Sequence, residues 1–382
     1  MKPTFLIAAL TGLTLLAGCA GNQVEPQYPP TELKELATSV ELASAWREGA
    51  GDGLGHAAYP IAPARDGDTL FAADYRGELF AFDADDGDTR WETDLDVPVS
   101  SALTAVAGDL YLGTRNGEVL AVSQRDGSIR WRTDVSSEVL AAPQPNQQLL
   151  VVQSVDGTIT ALDRSSGNER WRYQANQPSL TLRGAGTPTT IDPVTFAGFA
   201  NGRLTAIDNR NGQPLWERRI AVAQGRSDIE RLVDLAGQPV LTPDGRLFVT
   251  SYNGRLVALE ATRGEPLWAR ELSSYHTPLM MGDFLFVVEE SGRILALAAD
   301  SGDEIWRNTD LEGREPTSPA FADGKLVFGD FDGYLHLIDA RSGEMVGRER
   351  IDGSGIGVRP VTDGNRIHVL ANDGTLETLD IR

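Results

Sequence analysis

Side chains that could carry out chemistry are few in this chain of 382 residues, and their spacing predicts no reaction centre. The histidines are far apart and lack the spacing of metal ligands; they are His56, His276, His336 and His368. No serine stands in a G-x-S-x-G elbow, and no phosphate-binding loop occurs. We therefore predict no catalytic residue, no metal site, no cofactor and no enzymatic activity.

One acidic stretch, Asp83-Ala84-Asp85-Asp86-Gly87-Asp88, invites comparison with a calcium-binding loop. Its glycine is fifth rather than sixth, and the twelfth position lacks the glutamate that an EF-hand loop uses. The same slot elsewhere in the chain reads Arg125-Asp126-Gly127. A repeated turn accounts for the stretch better than a calcium site does.

The single cysteine, Cys19, follows a short apolar segment at the N-terminus. Residues 1–18 have the form of a secretory signal peptide, with Lys2 first, then an apolar run of about 12 residues that is too short to span a bilayer. Leu16-Ala17-Gly18-Cys19 resembles a bacterial lipobox, so we predict that Cys19 is lipidated, with palmitate among its acyl chains. The alternative is a free buried thiol. Ala20, by resemblance to lipoprotein sorting signals, favours the outer membrane.

Residues 19–39 are polar and proline-bearing, and we predict that they form a lipidated N-terminus and a flexible tether. The chain as a whole is acidic, with a formal net charge of −21. Nucleic acid and anionic lipid headgroups are therefore unfavourable partners.

The positioning elements come from an internal repeat, seen in the stretch from Asn116 to Trp131. Each copy has a turn glycine, an apolar run, a second turn and a closing tryptophan. The turn glycines are Gly77, Gly117, Gly157, Gly202, Gly254, Gly292, Gly333 and Gly374, and six are followed 14 residues later by Trp91, Trp131, Trp171, Trp216, Trp268 and Trp306. A period near 40 residues with glycine turns is typical of propeller blades.

The eighth copy ends before its tryptophan, whereas Trp46 lies near the start without a preceding copy. The N-terminal segment therefore supplies the missing last strand. We predict an all-β, eight-bladed β-propeller of four-stranded antiparallel blades over residues 40–382, closed by that strand. The tryptophans are interpreted as structural, docking each blade on the next; stacking platforms for sugars or bases are the alternative.

Two spacers interrupt the repeat. Most tryptophans precede the next turn glycine by 24 to 27 residues, but Trp171 to Gly202 takes 31 and Trp216 to Gly254 takes 38. Both insertions have the same repeat phase, so they should emerge together on one face, where such repeats commonly bind partners. Apolar residues beside arginine suit a protein contact; the first insertion carries Leu180, Leu182 and Arg183, and the second carries Arg231 and Asp234. Alternatively, the leucines plug the central channel.

The lipobox, the eight D-G-x-L-x-A-L-D…G…W repeats and the loop Ser179-Leu180-Thr181-Leu182-Arg183-Gly184 together resemble the BamB family, propeller lipoproteins of the β-barrel assembly machinery. The resemblance implies a non-catalytic outer-membrane scaffold on the periplasmic face. It implies that the two loops bind the POTRA domains of BamA through Leu180, Leu182, Arg183 and Asp234, and that the protein assists folding and insertion of outer-membrane β-barrels. Unfolded clients are a further possible partner. Family members often carry a second acid two residues beyond Asp234, where this chain has Ala236.

Two other classes stay open at this point. Pyrroloquinoline quinone-dependent dehydrogenases have similar eight-bladed repeats. Members of that class are, however, longer chains that carry an adjacent-cysteine disulfide and a calcium site. A periplasmic or surface ligand-binding lipoprotein is the second alternative. A surface lipoprotein would be accessible to protease on intact cells, whereas a periplasmic scaffold should be protected.

Overall fold

A computed structural model describes residues 27–36, 40–182 and 186–382. The described chain is built from 32 β-strands, in chain order β1 Leu42–Gly49, β2 Ala64–Asp66, β3 Thr69–Ala73, β4 Glu78–Asp83, β5 Thr89–Asp94, β6 Thr104–Val106, β7 Asp109–Gly113, β8 Glu118–Ser123, β9 Ile129–Asp134, β10 Gln144–Pro145, β11 Leu149–Gln153, β12 Thr158–Asp163, β13 Glu169–Gln174, β14 Thr189–Ile191, β15 Val194–Gly198, β16 Arg203–Asp208, β17 Pro214–Arg219, β18 Val240–Leu241, β19 Arg246–Thr250, β20 Arg255–Glu260, β21 Glu265–Glu271, β22 Leu279–Met281, β23 Phe284–Val288, β24 Ile294–Ala298, β25 Glu304–Asn308, β26 Ala320–Ala322, β27 Lys325–Gly329, β28 Tyr334–Asp339, β29 Met345–Arg350, β30 Val361–Asp363, β31 Arg366–Leu370 and β32 Thr375–Ile381.

The strands form eight separate four-stranded antiparallel sheets. Seven sheets use four consecutive strands each, from β2–β5 (blade 1) to β26–β29 (blade 7). The eighth has the order β1-β32-β31-β30, so the first strand of the chain completes the last blade. The short first strands of neighbouring blades approach one another, as β2 does β6 and β26 does β30. They therefore line the centre of the ring. The eight-bladed propeller predicted from the repeats is confirmed.

Burial along each blade follows from its place between two neighbours. The second and third strands are continuously buried: all five residues of Thr69–Ala73 are buried, as are the middle four of Glu78–Asp83. Both faces of these strands are covered by adjacent blades, which is why their sequences read as unbroken apolar runs. The outer strand Thr89–Asp94 alternates between half-buried and exposed residues because one of its faces meets solvent.

The hairpin between the second and third strands depends on its glycine. Gly77 has a φ of +116°, and a Cβ there would lie 2.3 Å from the Val97 carbonyl oxygen. Asp74 stabilises the same turn, since its Oδ1 accepts hydrogen bonds from the backbone N–H groups of Arg76, Gly77 and Glu78, each at 2.9 Å. Local turn chemistry thus sets the register of the apolar strands on either side.

Each tryptophan connects its blade to the next one. The Trp46 indole nitrogen donates to the Ala84 carbonyl at 3.1 Å, and its ring occupies the space that a Cβ on Gly87 would need. The other six repeat this pairing with the glycine in the second turn of the following blade, between its third and fourth strands, as Trp91–Gly127, Trp131–Gly167, Trp171–Gly212, Trp216–Gly264, Trp268–Gly302 and Trp306–Gly343. Each of these seven inter-blade contacts therefore combines an indole ring with a glycine whose lack of a side chain leaves room for that ring.

The junction between blades 7 and 8 explains the repeat that has Gly347 in place of tryptophan. Gly347 pairs with Leu337, as Trp91 pairs with Ala81 in blade 1. Blade 8 has no turn between its third and fourth strands, because these are β32 and β1, which are remote in the sequence; beside them the Arg382 N–H donates to the Glu41 carbonyl. A tryptophan at position 347 would have no second-turn glycine in blade 8 to pack against.

Part of the predicted tether lies on the ring. The Thr31 N–H donates to the Glu312 carbonyl at 2.9 Å, and the Tyr28 hydroxyl donates to Glu290 at 3.1 Å. The guanidinium of Arg314, which is buried, donates to the Thr31 carbonyl at 3.3 Å. Residues 28–31 therefore contact blades 6 and 7, which the polar composition of the segment did not indicate. The predicted lipidation site, Cys19, lies outside the described residues.

Candidate functional site

The two insertions lie in the loops that join an outer strand to the inner strand of the next blade. The first long loop, residues 175–188, joins β13 to β14, and the second, residues 220–239, joins β17 to β18. In an antiparallel four-stranded blade these connections and the glycine hairpins occupy the same end of the strands. The two loops therefore share one face of the ring, and they belong to consecutive blade junctions.

The first long loop presents an aliphatic side chain to solvent. Leu180 is 45% exposed, whereas Leu182 is half-buried. Arg183 lies outside the described residues. The base of the loop is close-packed, because a Cβ on Gly186 would lie 2.4 Å from the Leu235 carbonyl oxygen. The two loops are thus in direct contact at their bases.

The second long loop folds on itself around Glu230. One Glu230 carboxylate oxygen accepts hydrogen bonds from the backbone N–H of Arg226 at 2.6 Å and of Ser227 at 3.2 Å. These bonds lower the pKa of Glu230. The turn that they hold raises Ile229 to 66% exposure, the highest of the exposed large hydrophobic side chains among the described residues.

Arg231 lies on the same turn and is exposed. Its guanidinium donates to the Arg226 carbonyl at 3.0 Å and lies 3.8 Å from the Asp228 carboxylate. The ion pair is long and solvated, so it costs little to break. The charge of Arg231 is accordingly exposed and only weakly compensated, although its guanidinium keeps the hydrogen bond to the Arg226 carbonyl.

Asp234 differs from the expectation that it contacts a partner directly. It is 2% exposed, and its Oδ1 accepts a hydrogen bond from the Leu182 N–H at 2.8 Å. Its backbone carbonyl accepts from the Tyr252 N–H at 2.9 Å. Asp234 therefore joins the two long loops to each other and to the hairpin of blade 5.

Burial dominates the electrostatics of Asp234. Desolvation raises the pKa of its carboxyl to about 6, while the hydrogen bond from the Leu182 N–H has a smaller effect that lowers this pKa. A cavity of about 10 Å³, enough for one water molecule, adjoins the carboxyl group. Four polar atoms of its lining residues have no hydrogen-bond partner within the described ranges, namely Asp234 Oδ2, Gln153 Oε1, Ser154 Oγ and Gln177 Oε1.

Sequence reasoning missed two features of this face. Ile229 is more exposed than either leucine chosen from the sequence, and its exposure depends on the Glu230 turn, which the repeat does not encode. The second is the Tyr252 N–H, which binds the Asp234 carbonyl; in the sequence Tyr252 is marked only as part of a hairpin.

Within the described ranges no helix has the length and apolar character that a membrane crossing requires. No three His, Cys, Asp or Glu side chains of that part of the chain are grouped to hold a metal ion.

These features define a class: an eight-bladed β-propeller with two touching long loops on one face of the ring. Comparison with known proteins narrows it. A sequence profile described as outer membrane protein assembly factor BamB matches residues 38–112, 103–308 and 290–382. BamB of Pseudomonas aeruginosa is 46% identical over 376 residues, with 98% of each chain covered. BamB of Escherichia coli is 33% identical, again with 98% of each chain covered.

The protein belongs to the BamB family of outer membrane protein assembly factors. The crystal structure of BamB from Moraxella catarrhalis is similar in fold, with a TM-score of 0.81, 25% sequence identity, 89% of this chain covered and 100% of that chain. The quinohemoprotein alcohol dehydrogenase of Comamonas testosteroni superposes with a TM-score of 0.69 at 12% identity, which shows a shared fold and nothing more. The family predicted from the repeats and loops is confirmed.

Proposed function

We propose that this protein is a non-catalytic scaffold of the outer-membrane β-barrel assembly complex, and that its two long loops bind the POTRA domains of BamA. The observation that carries the proposal is the 2.8 Å hydrogen bond from the Leu182 N–H to Asp234, which holds the two loops together as one surface. Membership of the BamB family supports the assembly role.

The surface has the composition of a protein-binding site. Leu180 and Ile229 supply exposed aliphatic groups, and Arg231 supplies a charge with only a weak internal partner. Arg183 would add a second charge. Aliphatic groups that become buried on binding provide affinity, and arginine at the edge provides orientation.

Asp234 acts as a positioning residue in this proposal. Its carboxylate lies too deep to meet a partner, but without it the Leu182 N–H would lose its acceptor and the first loop would lose its tie to the second. The effect of Asp234 on partner binding is therefore indirect.

The proposal includes lipidation at Cys19, with the ring on the periplasmic face of the outer membrane. Multiple acyl chains on one residue anchor a protein stably, whereas a single chain does not. By positioning BamA, the protein would assist the folding of β-barrels. Unfolded clients are a further partner in this proposal.

The test is binding of the purified mature protein to purified POTRA domains, with Leu180→Glu as the variant. Burying the exposed 45% of a leucine contributes roughly 1 kcal/mol, and forcing a carboxylate against an apolar pocket costs more. We expect affinity to fall by about tenfold or more.

Leu215→Glu is the matched control, because Leu215 is 53% exposed but lies on the outer strand of blade 4, away from the two loops. It should bind like the wild type. Equal affinity for all three proteins would refute the loop assignment, and no binding by the wild type would refute the function.

A further inference from the structure

One position of the repeat shortly precedes the inner strand in every blade, near the centre of the ring. It is the second residue before each inner strand, and in all eight blades it is accessible while the residues on either side of it are buried. In blade 5 this residue is Gln238, whose side-chain nitrogen donates to Gln144 Oε1 of blade 3 at 3.1 Å. Gln144 is the first residue of an inner strand, so side chains from blades that are not adjacent meet across the centre of the ring. Because the repeat places the eight positions alike, we take them as a ring around the mouth of the channel.

Most side chains of the ring are small and uncharged. Blades 1, 2 and 3 contribute Ala62, Ala102 and Ala142. Blades 4, 6 and 7 contribute hydroxyl groups from Thr187, Thr277 and Ser318. The Ser318 hydroxyl accepts a hydrogen bond from the Thr277 N–H at 3.3 Å. The alanines leave open space, and the hydroxyl and amide groups offer hydrogen bonds.

Blade 8 contributes the single charged member of the ring, Arg359. Its side chain is solvent-accessible, yet desolvation by the surrounding protein lowers its pKa. That combination is expected for a cation in a narrow solvated channel. Among the described residues Arg359 has no hydrogen-bond or ion-pair partner. The acid on the strand that follows it, Asp363, is paired with Arg65 at 2.7 Å.

We propose that the mouth of the channel is a carboxylate-binding site centred on Arg359. A guanidinium presents parallel N–H donors that match the two oxygens of a carboxylate. One positive charge in a protein of net charge −21 favours a singly charged group over a multiply charged anion. The loops that precede the inner strands carry both this ring and the interaction face, so a polypeptide carboxylate could enter from that side.

The test is isothermal titration calorimetry on the mature chain with two peptides, acetyl-tetraalanine with a free C-terminal carboxylate and the same peptide with a C-terminal amide. We expect the free acid to bind and the amide to bind at least about tenfold more weakly. Acetate is titrated alongside: weaker binding than the peptide assigns the site to polypeptide carboxylates, and equal binding assigns it to small free ones. Either result supports the site.

Arg359→Gln should weaken binding of the free acid at least about tenfold, and Arg359→Lys should restore part of it. The matched control is Arg219→Gln, which removes an exposed arginine from the outer strand of blade 4. It should leave affinity unchanged. Thermal unfolding followed by circular dichroism establishes that each variant is folded. Undiminished affinity in Arg359→Gln, equal binding of acid and amide, or no binding of any carboxylate would overturn the proposal.

Discussion

Replacing Asp234 with asparagine should make the protein more stable at neutral pH. Asparagine keeps an oxygen that can accept the Leu182 N–H bond and removes the buried negative charge. Its amide nitrogen would face the cavity where the carbonyl oxygens of Gln153 and Gln177 have no partner in the described chain. The variant therefore loses the cost of desolvating a carboxylate while keeping the bond between the loops.

The size of the expected gain in stability follows from the pKa of Asp234. Burial raises the pKa of Asp234 from 3.8 to about 6. Because the folded protein binds the proton more tightly than the unfolded chain, the stabilising contribution of the protonated form is complete below about pH 4 and is lost as the pH rises through about 6. A difference of about two units corresponds to about 3 kcal/mol at pH 7.

Urea unfolding at pH 7 and at pH 4 is the assay. At pH 7 we expect Asp234→Asn to exceed the wild type by roughly 2 to 3 kcal/mol in free energy of unfolding, and at pH 4 the two should nearly coincide. Asp228→Asn is the control, since that carboxylate is 82% exposed on the same loop; it should change stability little at either pH.

Two outcomes would refute this reasoning. If Asp234→Asn were less stable than the wild type at pH 7, the carboxylate would be making a favourable interaction that outweighs its burial. If the difference between the two proteins were the same at both pH values, protonation of Asp234 would not be its source.

Other predictions concern the closure of the ring. Trp46→Ala removes a ring that is 7% exposed and a hydrogen bond to blade 1, so the free energy of unfolding should fall by about 3 to 5 kcal/mol in urea titrations; no loss would mean that the N-terminal strand does not close the ring. Gly347→Trp should also lower the free energy of unfolding, by roughly 1 to 3 kcal/mol in the same assay. Its Cβ would lie 3.0 Å from Leu337, and blade 8 has no second-turn glycine against which the indole could pack. A gain in stability would contradict that account of the junction.

The fold could be predicted because every blade is specified locally. Turn glycines such as Gly77 have a positive φ that other residues rarely adopt, and each is followed by a strand that must be apolar on both faces. Eight repetitions of one local pattern leave little choice of architecture. The closing role of Trp46 followed from counting, since one copy lacked its final strand and one tryptophan lacked its copy.

The candidate site was predicted only in part. Repeat phase placed both insertions on one face, and composition pointed to Leu180 and Arg231. Composition could not reveal that Asp234 is buried, because the partner of its carboxylate is a backbone N–H 52 residues away in the sequence. It also could not show that the segment around Thr31 lies against blades 6 and 7.

The sequence by itself determined the number of blades, the way the ring closes and the face on which the loops emerge, because each depends on periodic local chemistry. Tertiary structure alone decided which polar groups are buried, paired or left without a partner. Arg359 illustrates the difference: its isolation depends on the residues that seven other blades bring to the same channel and on the ion pair that occupies Asp363. Such distances between remote residues are set by the closed ring and are not encoded in any one repeat.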